Sequence, residues 1–326
     1  MKIRTKHFFY TIGACLALCL VVSCQTSKPD QEQEAQANTP TQEDQMKVVK
    51  LSAQDTSGFE SIRKSFVTNN PGYDLHYHPQ TTELEQRPVP RLAFLQTGGG
   101  TAIINDESSK ISVGDIINIP AGARMETDSL VDLLVFDIPE APPTEIPVFI
   151  RPDWDPNITD TPGGCATETN AYRRILLTWE GRNGPYLYHA LNAHRVRIMN
   201  SFTHYHPLEG GFDEFYLVQM AQAKAKIITS EKVDLITEPG SVTKEDLPDL
   251  LQQTPLDVGD LVYLPRGVAH RGLDGVLAQV ITVPGFIPGS EIGIDHHLKA
   301  ISDRLSLEGE ERLPYHEEAA ETVVVK

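Results

Sequence analysis

The sequence predicts an all-β chain in which two barrels of short antiparallel strands follow one another in tandem, closed by a short C-terminal helix. Three observations predict it. The chain has 326 residues, room for two domains of ordinary size. It holds 23 Gly and 23 Pro, which suit frequent turns better than long helices. Two motifs also occur twice, in the same order. His76-Tyr77-His78-Pro79 returns as His204-Tyr205-His206-Pro207, and VGDIINIPAGARM (113–125) returns as VGDLVYLPRGVAH (258–270). One such match arises by chance; two in order point to a duplicated unit.

The chain opens with Lys2, Arg4 and Lys6, followed by an apolar run from Phe8 to Val22. That is the length and charge pattern of an export signal, and it is short for a membrane span. The run ends Val21-Val22-Ser23-Cys24, which resembles a bacterial lipobox, with Cys24 as the lipidated residue. Residues 25–46 lack aromatic side chains and almost all aliphatic ones, so they cannot bury enough surface to offset ordering entropy. A tether of this length reaches roughly 25 Å. The expected organisation is a leader over 1–23, a tether over 24–46, a first barrel over 47–148, a connector over 149–168, a second barrel over 169–290 and a helix with an acidic tail over 291–326. The expected location is the cell envelope, with the membrane contacted through the lipid alone.

Within the two halves, residues 92–96, 101–105, 116–119 and 133–138, then 214–218, 223–229, 261–264 and 277–283, are short runs rich in β-branched and apolar residues, bounded by turn formers. The second half carries an insert whose KEDLPDLLQQ segment is interrupted by Pro248, predicting a short helix or loop. Ile292, Ile294, Leu298, Ile301 and Leu305 share a helical face. The segment from Glu308 onward is acidic and expected to fray. Trp154 and Trp179 could stack on a sugar, against the commoner reading of core tryptophans. Cys15 and Cys19 fall in the leader, so Cys165 is left alone as a thiol with no intrachain partner. The formal charge of -17 makes nucleic acid an unsuited partner, because phosphate binding needs clustered cations. The oligomeric state is not fixed by the sequence.

The chemistry concentrates in the second repeat. His204 and His206 are two apart, so on a strand both face one side. Glu214 follows in a run, DEFYLV, that reads as the next strand, and His270 ends a segment set between a Gly-Asp turn and a Pro-x-Gly turn. Three imidazoles and a carboxylate converging inside a barrel form a ligand set for one divalent transition metal: Mn, Fe, Co, Ni, Cu or Zn. Tyr205 alternates away from the site. Tyr216 shares the face of Glu214 and is a candidate acid or substrate-orienting group, against the plainer reading of a packed tyrosine. Arg266 and Arg271 are read as exposed pairing residues. His189 or His194 could reach the mouth of the barrel, but with no spacing rule both are read as ordinary histidines, and the pair His296-His297 that opens the terminal helix is a weak metal signal.

These motifs resemble the cupin superfamily, whose first motif is HxH followed by Glu and whose second is G-D-x4-P-x-G-x2-H. The second half matches both, and the resemblance implies His204, His206, Glu214 and His270 as the metal ligands of a two-barrel cupin. The first half keeps His76 and His78 but departs elsewhere: Met125 stands in the place of the last histidine and Arg91 in the place of the glutamate. Glu83 or Glu85 remains near enough to substitute. Thioether sulfur is a poor ligand for hard metals and a guanidinium repels a cation, so the first barrel is expected to hold metal weakly or not at all, with Arg91 or Arg124 open to an anion. The cupin resemblance implies the fold and leaves the reaction open. Dioxygenase-type chemistry on a small oxygen-rich molecule, isomerase or lyase chemistry on a sugar acid, and a non-catalytic envelope protein that binds a ligand or metal are the readings to be separated.

Overall fold

Alternation decides where each strand residue goes. In the run Glu214–Val218, Phe215 and Leu217 join one buried cluster while Tyr216 and Val218 join another. In the run Arg91–Leu95, Leu92 and Phe94 join the first of these clusters, and Ala93 and Leu95 pack in a third. Each sheet is therefore apolar on both faces, one face lining its own barrel and the other meeting the neighbouring barrel. That is why these runs read as nearly continuous hydrophobic stretches.

The computed structural model describes residues 45–52, 57–161, 163 and 172–326. The proposed leader and most of the tether, with Cys24, lie outside the described residues, as does Cys165. The fold is all-β, two cupin-type barrels in tandem. The first barrel consists of β2 (Asp74–Leu84), β3 (Arg91–Ile104), β4 (Glu107–Ser112), β5 (Ile116–Ile119), β6 (Met125–Asp137) and β7 (Phe149–Ile150). Its sheet order is β2-β6-β3-β5-β7, with β4 on β3. The second consists of β8 (Arg173–Leu177), β9 (Asn192–Asn200), β10 (His204–Tyr205), β11 (Asp213–Ala221), β12 (Lys226–Ser230), β13 (Gln252–Pro255), β14 (Asp260–Leu264), β15 (Ala269–Val283) and β16 (Ile292–Gly293). The strand β1 (Lys47–Lys50) pairs antiparallel with β14, Val48 facing Val262, so it completes the second sheet. Reciprocally, β7, which leads toward the second repeat, pairs with β5 of the first.

Several expectations are corrected. The runs at 92–96 and 101–105 are one strand, β3, which bends through Gly98 at φ 86° without breaking. A 13-residue helix, α1 (Ser57–Asn69), precedes the first barrel and was not predicted. Its Phe59, Ile62 and Phe66 are buried, and Phe66 meets Phe136 of the first barrel at 5.7 Å and Phe215 of the second at 5.2 Å, both edge-on. A short helix α2 (Val233–Ile236) precedes the insert, whose KEDLPDLLQQ segment forms one 3-10 turn at Leu247–Asp249, as a short helix or loop was expected there. The terminal helix α3 (Asp295–Leu305) buries Leu298 and Ile301 as expected. The segment beyond it does not fray: Leu313, Tyr315 and Ala320 pack in the cluster under α3, and Val325 bridges Ile292. Its acidic side chains face solvent, while Leu313, Tyr315 and Ala320 turn inward and Val323 and Val325 stay exposed. Trp154 is 68% exposed rather than buried, with the Arg151 guanidinium 5.2 Å above its ring. Among the described residues no helix is long and apolar enough to cross a membrane.

Candidate metal centre and cavity

The ligand strands are held in register by the two turns of the second motif. Gly259 at φ 89° and Gly267 at φ 86° occupy the left-handed region that side chains avoid. The Gly267 N–H donates to the His206 carbonyl at 2.7 Å, which ties the second motif to the first. In the ladder His204 faces His270, and Glu214 faces Leu264 and Thr282. The four predicted ligands thereby reach one place.

His204, His206 and His270 are all buried, and one ring nitrogen of each lies within 4.8 Å of the others. His204 Nδ1 and His270 Nδ1 each donate to a backbone carbonyl, Phe202 and Val268 respectively, both at 3.2 Å. A carbonyl only accepts, so these rings keep a lone pair on Nε2. The Nε2 atoms of all three histidines are buried without a hydrogen-bond partner. Glu214 Oε1 lies 3.3 Å from His270 Nε2 and Oε2 lies 4.0 Å from His206 Nε2. Burial first, then the neighbouring imidazoles, pushes the His204 and His206 values well below the ordinary histidine range. Neutral imidazoles with inward lone pairs beside a carboxylate fit a divalent transition metal, and orphaned buried nitrogens are otherwise costly.

The support behind the ligands comes from both barrels. Asp213, wholly buried, accepts from Asn70 Nδ2 at 2.6 Å, from Tyr263 Oη at 2.7 Å and from Arg266 Nε at 3.1 Å. Arg266 also donates to Asn70 Oδ1 at 2.5 Å. Arg271, expected at the surface, is buried and donates to the Ser201 carbonyl at 2.8 Å and to Asn200 Oδ1 at 2.6 Å. Tyr205 points away into the cluster under α3. Tyr216 is buried among Val196, Val218 and Val262, its ring centroid 6.2 Å from that of His270. It is not among the cavity-lining side chains.

A cavity of about 340 Å³ opens beside Glu214, lined among others by Trp179, Arg182, His194, Thr282, Phe286 and Glu291. Of this lining, sequence reasoning reached Glu214 and offered Trp179 and His194 only as secondary readings; Arg182, Thr282, Phe286 and Glu291 it missed. His194 was treated as an ordinary histidine, yet it stands in the cavity wall, held well below the usual histidine range by burial and by Arg173. Glu291 is pushed up to about 7 by burial and by the charge of Glu214. Trp179 and Phe286 stack at 4.0 Å with 28° between their planes. His189 is exposed, and the His296–His297 rings contact only one another at 3.9 Å among the described ring pairs.

The first barrel lacks the equivalent centre. Arg91 faces Ile119 and Asp137 as Glu214 faces Leu264 and Thr282, and it donates to the Ala123 carbonyl at 3.0 Å. Met125 is fully buried in the apolar cluster. Glu83 does not replace the missing carboxylate; it pairs with Arg124 at the surface, which also occupies Arg124. Asp74, His76 and Asp137 lie close enough to suggest a metal group, but Arg63 holds Asp74 at 2.7 Å and Arg87 holds Asp137 at 2.8 Å. The Arg87 guanidinium also lies 2.9 Å from His76 Nε2, a cation already standing where a metal would.

No family model and no curated protein matches the sequence. Solved structures do resemble it. Oxalate decarboxylase of Bacillus subtilis is similar at 12% identity, with 86% of this chain and 84% of that one covered and a TM-score of 0.45. The Lactobacillus farciminis oxalate decarboxylase formate complex is similar at 15% identity, over 76% of this chain and 85% of that one, with a TM-score of 0.44. AerE from Microcystis aeruginosa is similar at 12% identity, over 65% and 86%, with a TM-score of 0.41. It is the chain's own strand order and its two repeated motifs that make this a tandem cupin-type fold.

Proposed function

We propose that the protein is a metal-dependent enzyme acting on a small oxygen-rich organic molecule, with dioxygenase-type chemistry ahead of isomerase or lyase chemistry on a sugar acid. The observation that carries this reading is the set of three partnerless Nε2 atoms beside Glu214 at the edge of a cavity. His204, His206, Glu214 and His270 would hold the ion. Three nitrogens and one carboxylate leave an octahedral cation two positions, and such an ion supplies either redox capacity toward dioxygen or Lewis acidity toward an enolate. The protein's own part is to keep the His204 and His206 imidazoles neutral, to fix Glu214 through the β11 ladder and to shield the site behind Trp179 and Phe286. A purely binding protein retains the same ligands but shows no turnover.

Metal analysis of the purified protein tests the centre. Wild type is expected to carry one equivalent of a divalent transition metal per chain, lost in a His204→Ala/His270→Ala variant. Equal metal in the two would end the proposal. Oxygen uptake across a panel of phenols and sugar acids then separates oxygenase from lyase chemistry.

The export reading belongs to the same proposal and rests on residues 1–46 of the sequence. Cys24 carries a lipid that holds the protein at the cell envelope. Metabolic labelling with a fatty acid is expected to mark the wild type and to miss Cys24→Ser. Equal labelling of both would exclude this anchor.

A further inference from the structure

The tail reaches the cavity. Gly293 N donates to the Val324 carbonyl at 2.8 Å, Glu291 N donates to the Lys326 carbonyl at 3.0 Å and Lys326 N donates to the Glu291 carbonyl at 3.0 Å. Residues 324–326 therefore run as an extra strand along 291–293, and Gly293 itself pairs with the ligand His204. This places Lys326 in the cavity wall. Its Nζ lies 4.3 Å from the centre of the Phe202 ring, and Phe202 stacks on the His204 ring at 4.5 Å. Among the described residues Lys326 makes no ion pair. A cation thus stands one aromatic ring away from a metal ligand.

Two further features shape what fits. An aromatic surface runs from His206 through Phe212 at 3.9 Å and Phe286 at 5.4 Å to Trp179, and its Phe286 and Trp179 members face the cavity. Thr282, in register with Glu214, is buried in the same wall, and its hydroxyl has no hydrogen-bond partner. Arg182 is engaged with Glu180 at 2.7 Å. With a divalent ion on Glu214, the wall also carries the cation Lys326, which acts on Glu291 and on His204.

We propose that the cavity is built for a planar hydroxylated carboxylate, and that Lys326 is the specificity residue that holds its carboxylate group. This rests on the metal-centre reading above. Vicinal oxygens of the ligand meet the metal, the flat face lies on Trp179 and Phe286, and the Thr282 hydroxyl meets a ligand oxygen.

The test uses the full chain, purified in detergent, loaded anaerobically with cobalt(II) and titrated with 3,4-dihydroxybenzoate or 4-methylcatechol while the visible cobalt bands are followed. The two probes share the chelating oxygens and differ in the carboxylate. Wild type is expected to bind 3,4-dihydroxybenzoate at least about tenfold more tightly, the ratio that one well-placed charge supports. Lys326→Met is expected to remove that preference while leaving 4-methylcatechol within about twofold, and Lys326→Arg to restore most of it. Trp179→Ala weakens both probes alike. Cobalt retained with no response to either probe, or an equal loss for both probes in Lys326→Met, overturns the proposal and leaves the metal centre standing. Failure of the wild type to retain cobalt overturns both.

Discussion

Where the second barrel has Glu214 the first has Arg91, and the exchange reorganises the titratable groups around it. Arg87 sits on His76 Nε2 and Asp137, so a guanidinium already occupies the side of that histidine a metal would approach. His78 is pushed down to about 4 by burial, then by His76, Arg91 and Arg87. Its folded value lies below the unfolded one, so the neutral ring contributes stability that is present above about pH 6.5 and is lost as pH falls through about 4. NMR titration should find the His78 ring neutral at pH 5, and His78→Gln should flatten the decline in unfolding free energy between pH 6.5 and 4. A ring titrating near 6.5 would contradict this. The site residues that sequence reasoning reached are those pinned by a turn or by strand alternation: His204, His206, Glu214, His270, and the substitutions at Arg91 and Met125. The cavity residues Thr282, Glu291 and Lys326 carry no motif. They meet only because β15, β16 and the tail converge, and nothing local in the sequence encodes that.

At the level of elements, α1 does more than cover the first barrel. Phe66 fills the joint between the barrels, and Asn70, just past the helix end, reaches Asp213 beside the proposed ligand Glu214. Its apolar spacing at 59, 62 and 66 was a helical signal in the sequence. Its partners, from strands of both repeats, were not visible there. Asp213→Ala leaves Arg266, Asn70 and Tyr263 without their shared acceptor. Breaking a buried charge pair of this kind costs about 3–5 kcal/mol, to be read by denaturant unfolding. Because Asp213 fixes the strand next to a ligand, metal affinity should fall about 10- to 100-fold as well. Stability lost with unchanged metal affinity would confine Asp213 to a folding role. The acidic tail shows the opposite error. Composition over 308–326 pointed to fraying, while Leu313, Tyr315 and Ala320 pack under α3 and the last residues bond to 291–293.

For the whole molecule, the two barrels are not separable by cutting the connector. Glutamine side chains cross between them, Gln96 to the Val218 carbonyl and Gln279 to the Gly114 carbonyl, both at 2.7 Å. Each sheet also takes an edge strand from the segment that leads into the other repeat. Residues 1–158 and 159–326 expressed alone should each be insoluble or unfolded by near-UV circular dichroism, and together should form one folded, metal-binding complex. A folded, metal-binding 159–326 fragment would show that β1 and α1 are dispensable. The duplication was legible because both motifs survived in order. The strand exchange was not, because β1 and β7 are two to four residues long and carry no signature of their partner.

That exchange also says something about descent. A polypeptide carrying a single repeat would have its leading strand belong to a sheet other than its own. Such a chain completes its barrel only by lending that strand to a second copy and borrowing the copy's in return. The present chain holds both halves of that exchange in one polypeptide, so each barrel closes without a second copy.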